Sequence, residues 1–74
     1  MKTRKLFLEQ GIGGTAKWWY VVLEGDGEVR TITDGTSRQE AESLLYEEAR
    51  RRRMKYRVDG GASGSFYFTN QAQR

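Results

Sequence analysis

Residues 17–34 read Lys-Trp-Trp-Tyr-Val-Val-Leu-Glu-Gly-Asp-Gly-Glu-Val-Arg-Thr-Ile-Thr-Asp, and this segment constrains the fold more than any other. Its aromatic and β-branched side chains fit the pleated surface of a strand. Asp26-Gly27 is the pair favoured by a two-residue type I′ turn, because both central positions take positive φ. The segment therefore predicts an antiparallel hairpin with strands over 17–23 and 28–33. Counting outward from the turn pairs Leu23 with Arg30, Val21 with Ile32 and Trp19 with Asp34 on one face. Val22 then meets Thr31, and Tyr20 meets Thr33, on the other. A slip of one residue would exchange the two faces, so the turn decides which aromatic rings are buried.

The flanking segments supply the remaining elements. Residues 4–9 alternate, with Leu6 and Leu8 on one side and Lys5, Phe7 and Glu9 on the other, which is the period of a half-buried strand. Gly11, Gly13 and Gly14 break the chain before the hairpin. Ser37 with Glu40 three residues later forms a capping box, which starts a helix that ends near Arg53. Ala41, Leu44, Leu45 and Ala49 share one stripe of that helix, and Glu47–Arg51 and Glu48–Arg52 are favourable i,i+4 pairs. Residues 55–59 read as a fourth strand with Tyr56 and Val58 inward. Gly60, Gly61 and Gly64 form a flexible turn, 66–69 form a fifth strand, and the polar tail from Asn70 frays.

The order β-β-β-α-β-β predicts a two-layer α+β fold, an antiparallel sheet with one helix packed on one face. Leu44 and Leu45 should pack onto Trp19, Val21, Ile32, Tyr56, Val58, Phe66 and Phe68, with Leu23 in the same layer. One helix covers one face only. The other, with Trp18, Tyr20, Val22, Thr31 and Thr33, is expected to be covered by the first strand, a terminal segment or a second copy in a homodimer, or to bind a partner.

With 74 residues the chain makes one domain, residues 1–74. Hydrophobic residues at 36% and charged residues at 31% suit a soluble globular domain rather than a disordered tail or a membrane span. Leu6-Phe7-Leu8 behind Lys2, Arg4 and Lys5 is too short an apolar run for a signal peptide. A small domain without disulfides suits the cytoplasm. The sequence has no cysteine and no histidine, which removes the thiolate nucleophile, the usual general base and the commonest zinc ligands. We therefore expect no enzyme, no cofactor and no metal. The Gly11, Gly13 and Gly14 loop leads into a strand, not into a helix whose N-terminus would hold phosphate. Glu24, Asp26 and Glu28 supply too few oxygens for a calcium loop, and Glu40 and Glu47 are accounted for by the helix itself.

The charge distribution carries the functional signal. Residues 1–49 hold six basic and nine acidic side chains, whereas 50–57, Arg-Arg-Arg-Arg-Met-Lys-Tyr-Arg, hold six positive charges and no acid. Cations are favoured at a helix C-terminus, but that accounts for only one or two of them. Arg50, Arg51, Arg52, Arg53, Lys55 and Arg57 are the candidate phosphate-binding residues, with Trp18 and Tyr20 as candidate stacking residues. The expected partner is nucleic acid, DNA or RNA. The alternative is a small inhibitor or adaptor binding an acidic protein surface, because Arg, Trp and Tyr are also the residues of interface hot spots. The Trp-rich strand, Gly27 and Ala41 give residues 17–53 a pattern similar to sheet-plus-helix DNA-binding domains such as plant AP2 and integrase arm-binding domains, from which the last two strands depart. In size and charge the chain also resembles small phage-encoded inhibitors, including anti-CRISPR proteins.

Overall fold

The structure, a computed structural model, describes residues 3–25, 27–58 and 66–70. Its elements are β1 (Arg4–Gln10), β2 (Trp19–Gly25), β3 (Glu28–Thr31), α1 (Arg38–Arg51), β4 (Lys55–Val58) and β5 (Phe66–Thr69), with a single 3-10 turn, Gly13–Thr15, between β1 and β2. The strands form one antiparallel sheet in the order β3-β2-β1-β5-β4, and α1 packs on one face, so the fold is α+β. Among the described residues no helix is long and apolar enough to cross a membrane.

Near its turn the hairpin has the expected register. Gly25 pairs with Glu28, Leu23 with Arg30 and Val22 with Thr31, and Gly27 takes φ 78°. Asp26 lies outside the described residues, as do the expected glycine turn and Asp59. Farther along, the register departs from expectation. β3 stops at Thr31, and although the Ile32 amide still donates to the Val21 carbonyl at 2.8 Å, the Val21 amide donates to Thr33 Oγ1 at 3.2 Å. The next bridge joins Trp19 to Thr36, not Asp34. A threonine side chain has replaced a ladder bond, and residues 33–35 bulge out of the sheet. Gly35 permits this, since a Cβ there would stand 2.9 Å from the Tyr20 hydroxyl oxygen and 3.0 Å from Trp18 Cβ.

β1 is the central strand and does not cover the second face. The core is formed by Leu6, Val21, Leu23, Leu45, Ala49 and Phe68, with Leu8, Ile32, Leu44, Met54 and Phe66 packed against it. Three expected core residues are not in it. Tyr56 and Val58 are 51% and 57% exposed, and Trp19 is half-buried with the Arg38 guanidinium 4.8 Å from its ring centroid. For Tyr56 and Val58 the reason is width. Five strands spaced about 4.8 Å apart reach about 19 Å across, whereas a helix with its side chains is about 10–12 Å wide. α1 lies on β1 and β2, so β4 falls beyond its footprint.

The helix ends are built by the expected residues with altered details. Ser37 is the N-cap and its Oγ accepts from the Glu40 amide at 3.3 Å, while the Glu40 carboxylate accepts from the Thr36 hydroxyl instead of the Ser37 amide. At the other end Arg52 is the C-cap and Arg53 takes φ 56°. The Arg53 amide donates to Arg50 O at 3.1 Å and the Met54 amide to Ala49 O at 2.9 Å. This pair of bonds is a Schellman motif with arginine in the left-handed position that glycine usually fills, and Met54 supplies its hydrophobic contact.

Candidate nucleic-acid interface

The fold divides the basic run into three groups. Arg51 and Arg52 both reach Glu48, at 3.3 and 2.9 Å, and Arg51 also approaches Glu47 at 4.0 Å. These two are largely committed to the helix, as their spacing from Glu47 and Glu48 implies. Arg50 and Arg53 are exposed, and among the described residues no carboxylate lies within ion-pair range of either. Lys55 and Arg57 alternate with Tyr56 and Val58, so they lie on the sheet face turned away from α1. The expected continuous band is therefore broken at the edge strand β4, with the arginines on the helix side and Lys55 and Arg57 on the other. Arg57 is the more constrained of these two: its Nη1 donates to its neighbour's carbonyl, Tyr56 O, at 2.7 Å, and its buried Nη2 has no hydrogen-bond partner.

Trp18 and Tyr20 lie on the same helix-free face, flanking Gly35, as the turn-based register implies. Three strand spacings, about 14 Å, separate β2 from β4. The gap holds residues missing from the candidate set. Phe7 pairs with Val22 on β2, Tyr67 pairs with Arg57 on β4, and Lys5 places its Nζ 4.9 Å from the Tyr67 ring centroid. Lys17 sits in the same way 5.3 Å from the Trp18 ring. A row of rings thus crosses the sheet from Tyr67 through Phe7 to Tyr20, with Lys5, Lys17, Lys55 and Arg57 around it. Alternation within Phe66-Tyr67-Phe68-Thr69 was the signal for Tyr67. Neighbourhood with Phe7 was beyond reach, because it depends on β5 docking against β1.

The loop after β1 forms one wall of this face. The Gly11 amide donates to Trp18 O at 2.9 Å, the Gln10 side-chain amide donates to Ala16 O, and Ile12 is 86% exposed. Between this loop and Tyr20, Val22 and Thr31 lies an open groove of about 320 Å³. Two carboxylates, Glu9 and Glu24, temper the positive charge of the face. Glu28 pairs with Gly25 and so projects to the helix side, away from Glu24. Among the described residues no cluster of three or more acidic side chains is placed to hold a metal ion. No protein-family model matches the chain, and comparison with curated proteins and with solved structures likewise finds no match.

Proposed function

We propose that the chain is a small non-enzymatic module that binds nucleic acid across its helix-free sheet face and acts in the cytoplasm. The observation that supports this reading is the row Tyr67, Phe7 and Tyr20 across β5, β1 and β2, with Lys5 beside it on β1 and Lys55 and Arg57 at the β4 edge. Aromatic rings on a flat sheet accept bases by stacking, at about 1–3 kcal/mol per base and with little sequence preference. Lysine and arginine at the rim neutralise phosphates and release counterions. Lys5 and Lys17 already sit on rings, so an incoming base displaces each ammonium toward the backbone it is to contact. Arg50 and Arg53 extend the positive field past the edge strand.

The test is fluorescence anisotropy with labelled oligonucleotides at rising salt. Four cation–phosphate contacts give a slope of log K against log salt of about −3, and Lys55→Gln with Arg57→Gln reduces it to about −1.5. Tyr67→Ser should weaken binding without changing the slope. Binding that ignores salt, or no binding at low salt, would overturn the reading.

A further inference from the structure

A second surface lies on the helix side of β4. Phe66 sits between Tyr46 and Tyr56, with centroid distances of 6.2 and 5.5 Å and interplanar angles of 12° and 27°, so the three rings form a near-parallel row. Phe68, only 7% exposed, meets all three nearly edge-on, at 86°, 74° and 83°. The row is anchored below and open above. Tyr46 is 45% exposed, Tyr56 51%, and Val58, the register partner of Phe66, 57%. Isolated apolar residues on a surface need no explanation, but a contiguous group held in place by buried contacts marks an interaction site.

Two cations stand at its rim. Arg50 follows Tyr46 by one helical turn on the same flank, and Arg53 occupies the turn between α1 and β4. Among the described residues neither has a carboxylate partner, in contrast to Arg51 and Arg52 beside Glu48. An apolar centre beside uncompensated arginines is complementary to a segment that carries carboxylates next to an apolar anchor. We propose that this surface docks an acidic peptide segment of a partner protein, its carboxylates on Arg50 and Arg53 and an apolar side chain against Tyr46 and Tyr56. Recognition runs through side chains rather than strand addition, since β4 is short, flanked by charge, and has its Tyr56 carbonyl already occupied by Arg57. Packed tyrosines lose little rotamer freedom on binding, which favours such a small surface. The surface lies on the opposite side of the sheet from Lys5, Phe7, Tyr67 and Arg57.

The experiment titrates the full chain with a short labelled peptide alternating Glu with Leu and Phe, and with its Gln-for-Glu counterpart, followed by amide chemical shifts. Shifts are expected at Tyr46, Arg50, Arg53, Tyr56 and Val58, with little binding of the Gln peptide. Arg50→Gln with Arg53→Gln should weaken binding about tenfold or more, and both sites are exposed, so the fold is retained. Lys55→Gln on the other face should leave affinity within about twofold. Equal affinity for the two peptides, or shifts confined to Lys5, Phe7 and Tyr67, would overturn the proposal. So would concentration-dependent self-association through Tyr46, or an oligonucleotide whose binding alone is lost on changing Arg50 and Arg53.

Discussion

Arg53 holds a backbone conformation that a glycine would hold at lower cost. Its φ of 56° lies in the left-handed region, where a side chain with a Cβ costs about 1 kcal/mol, and among the described residues it makes no ion pair that would offset this. Arg53→Gly is therefore expected to raise the unfolding free energy by about 0.5–1 kcal/mol in urea denaturation, while removing one rim cation. A less stable variant would show that the arginine side chain contributes to folding after all. Gly25 is the reverse case. Its φ is 154°, and a Cβ would come within 2.7 Å of the Thr3 carbonyl oxygen and 2.8 Å of Arg4 Cγ. Both conformation and space require glycine there, so Gly25→Ala should cost about 1–3 kcal/mol in the same assay.

Helix α1 and the hairpin were legible because their signals are local. The capping serine, the Ala41–Leu45–Ala49 stripe and the two-residue turn each act within a few residues, and each placed its side chains on the correct side. Two things were not local. The Val21 amide can be satisfied by a threonine hydroxyl as well as by backbone, which moved the Trp19 pairing by two residues. The reach of one helix over five strands depends on strand order, which alternation does not encode, and so Tyr56 and Val58 face the helix side, as alternation implies, yet stay half exposed. The candidate site divided in the same way: its cations and Tyr20 were visible one by one, whereas the separation of Arg50 from Lys55 across β4 appears only in three dimensions. Core and edge should therefore respond differently to substitution. Leu45→Ala, at a fully buried position, should cost about 2–5 kcal/mol, while Val58→Thr should change stability by less than about 0.5 kcal/mol, as measured by thermal melting. Similar losses at both positions would mean that β4 is covered in solution.

Across the whole molecule, the sheet is joined unevenly. β1 and β2 pair over seven residues each, whereas β1 and β5 are in register only at Lys5–Thr69 and Leu6–Phe68. That short seam is reinforced by Thr69 Oγ1 donating to Arg4 O and by the Arg4 amide donating to Asn70 Oδ1, both at 2.8 Å. The β4–β5 hairpin is thus a smaller unit attached to a β1-β2-β3-α1 body, and units of this kind open with free energies below that of global unfolding. Amides of β4 and β5 should exchange faster in native-state hydrogen exchange than those of Leu6, Val21 and Leu23; uniform protection would show a single cooperative unit. The seam also runs through the proposed nucleic-acid face, between Phe7 and Tyr67. An oligonucleotide bridging it binds only the closed hairpin, and at about a hundred times its Kd it stabilises that state by about 2.7 kcal/mol. Protection of the β4 and β5 amides should then rise by up to about a hundredfold, with Tyr67→Ser reducing the gain. An equal or absent response in the two units would place the ligand on one side of the seam and remove Tyr67 from its site.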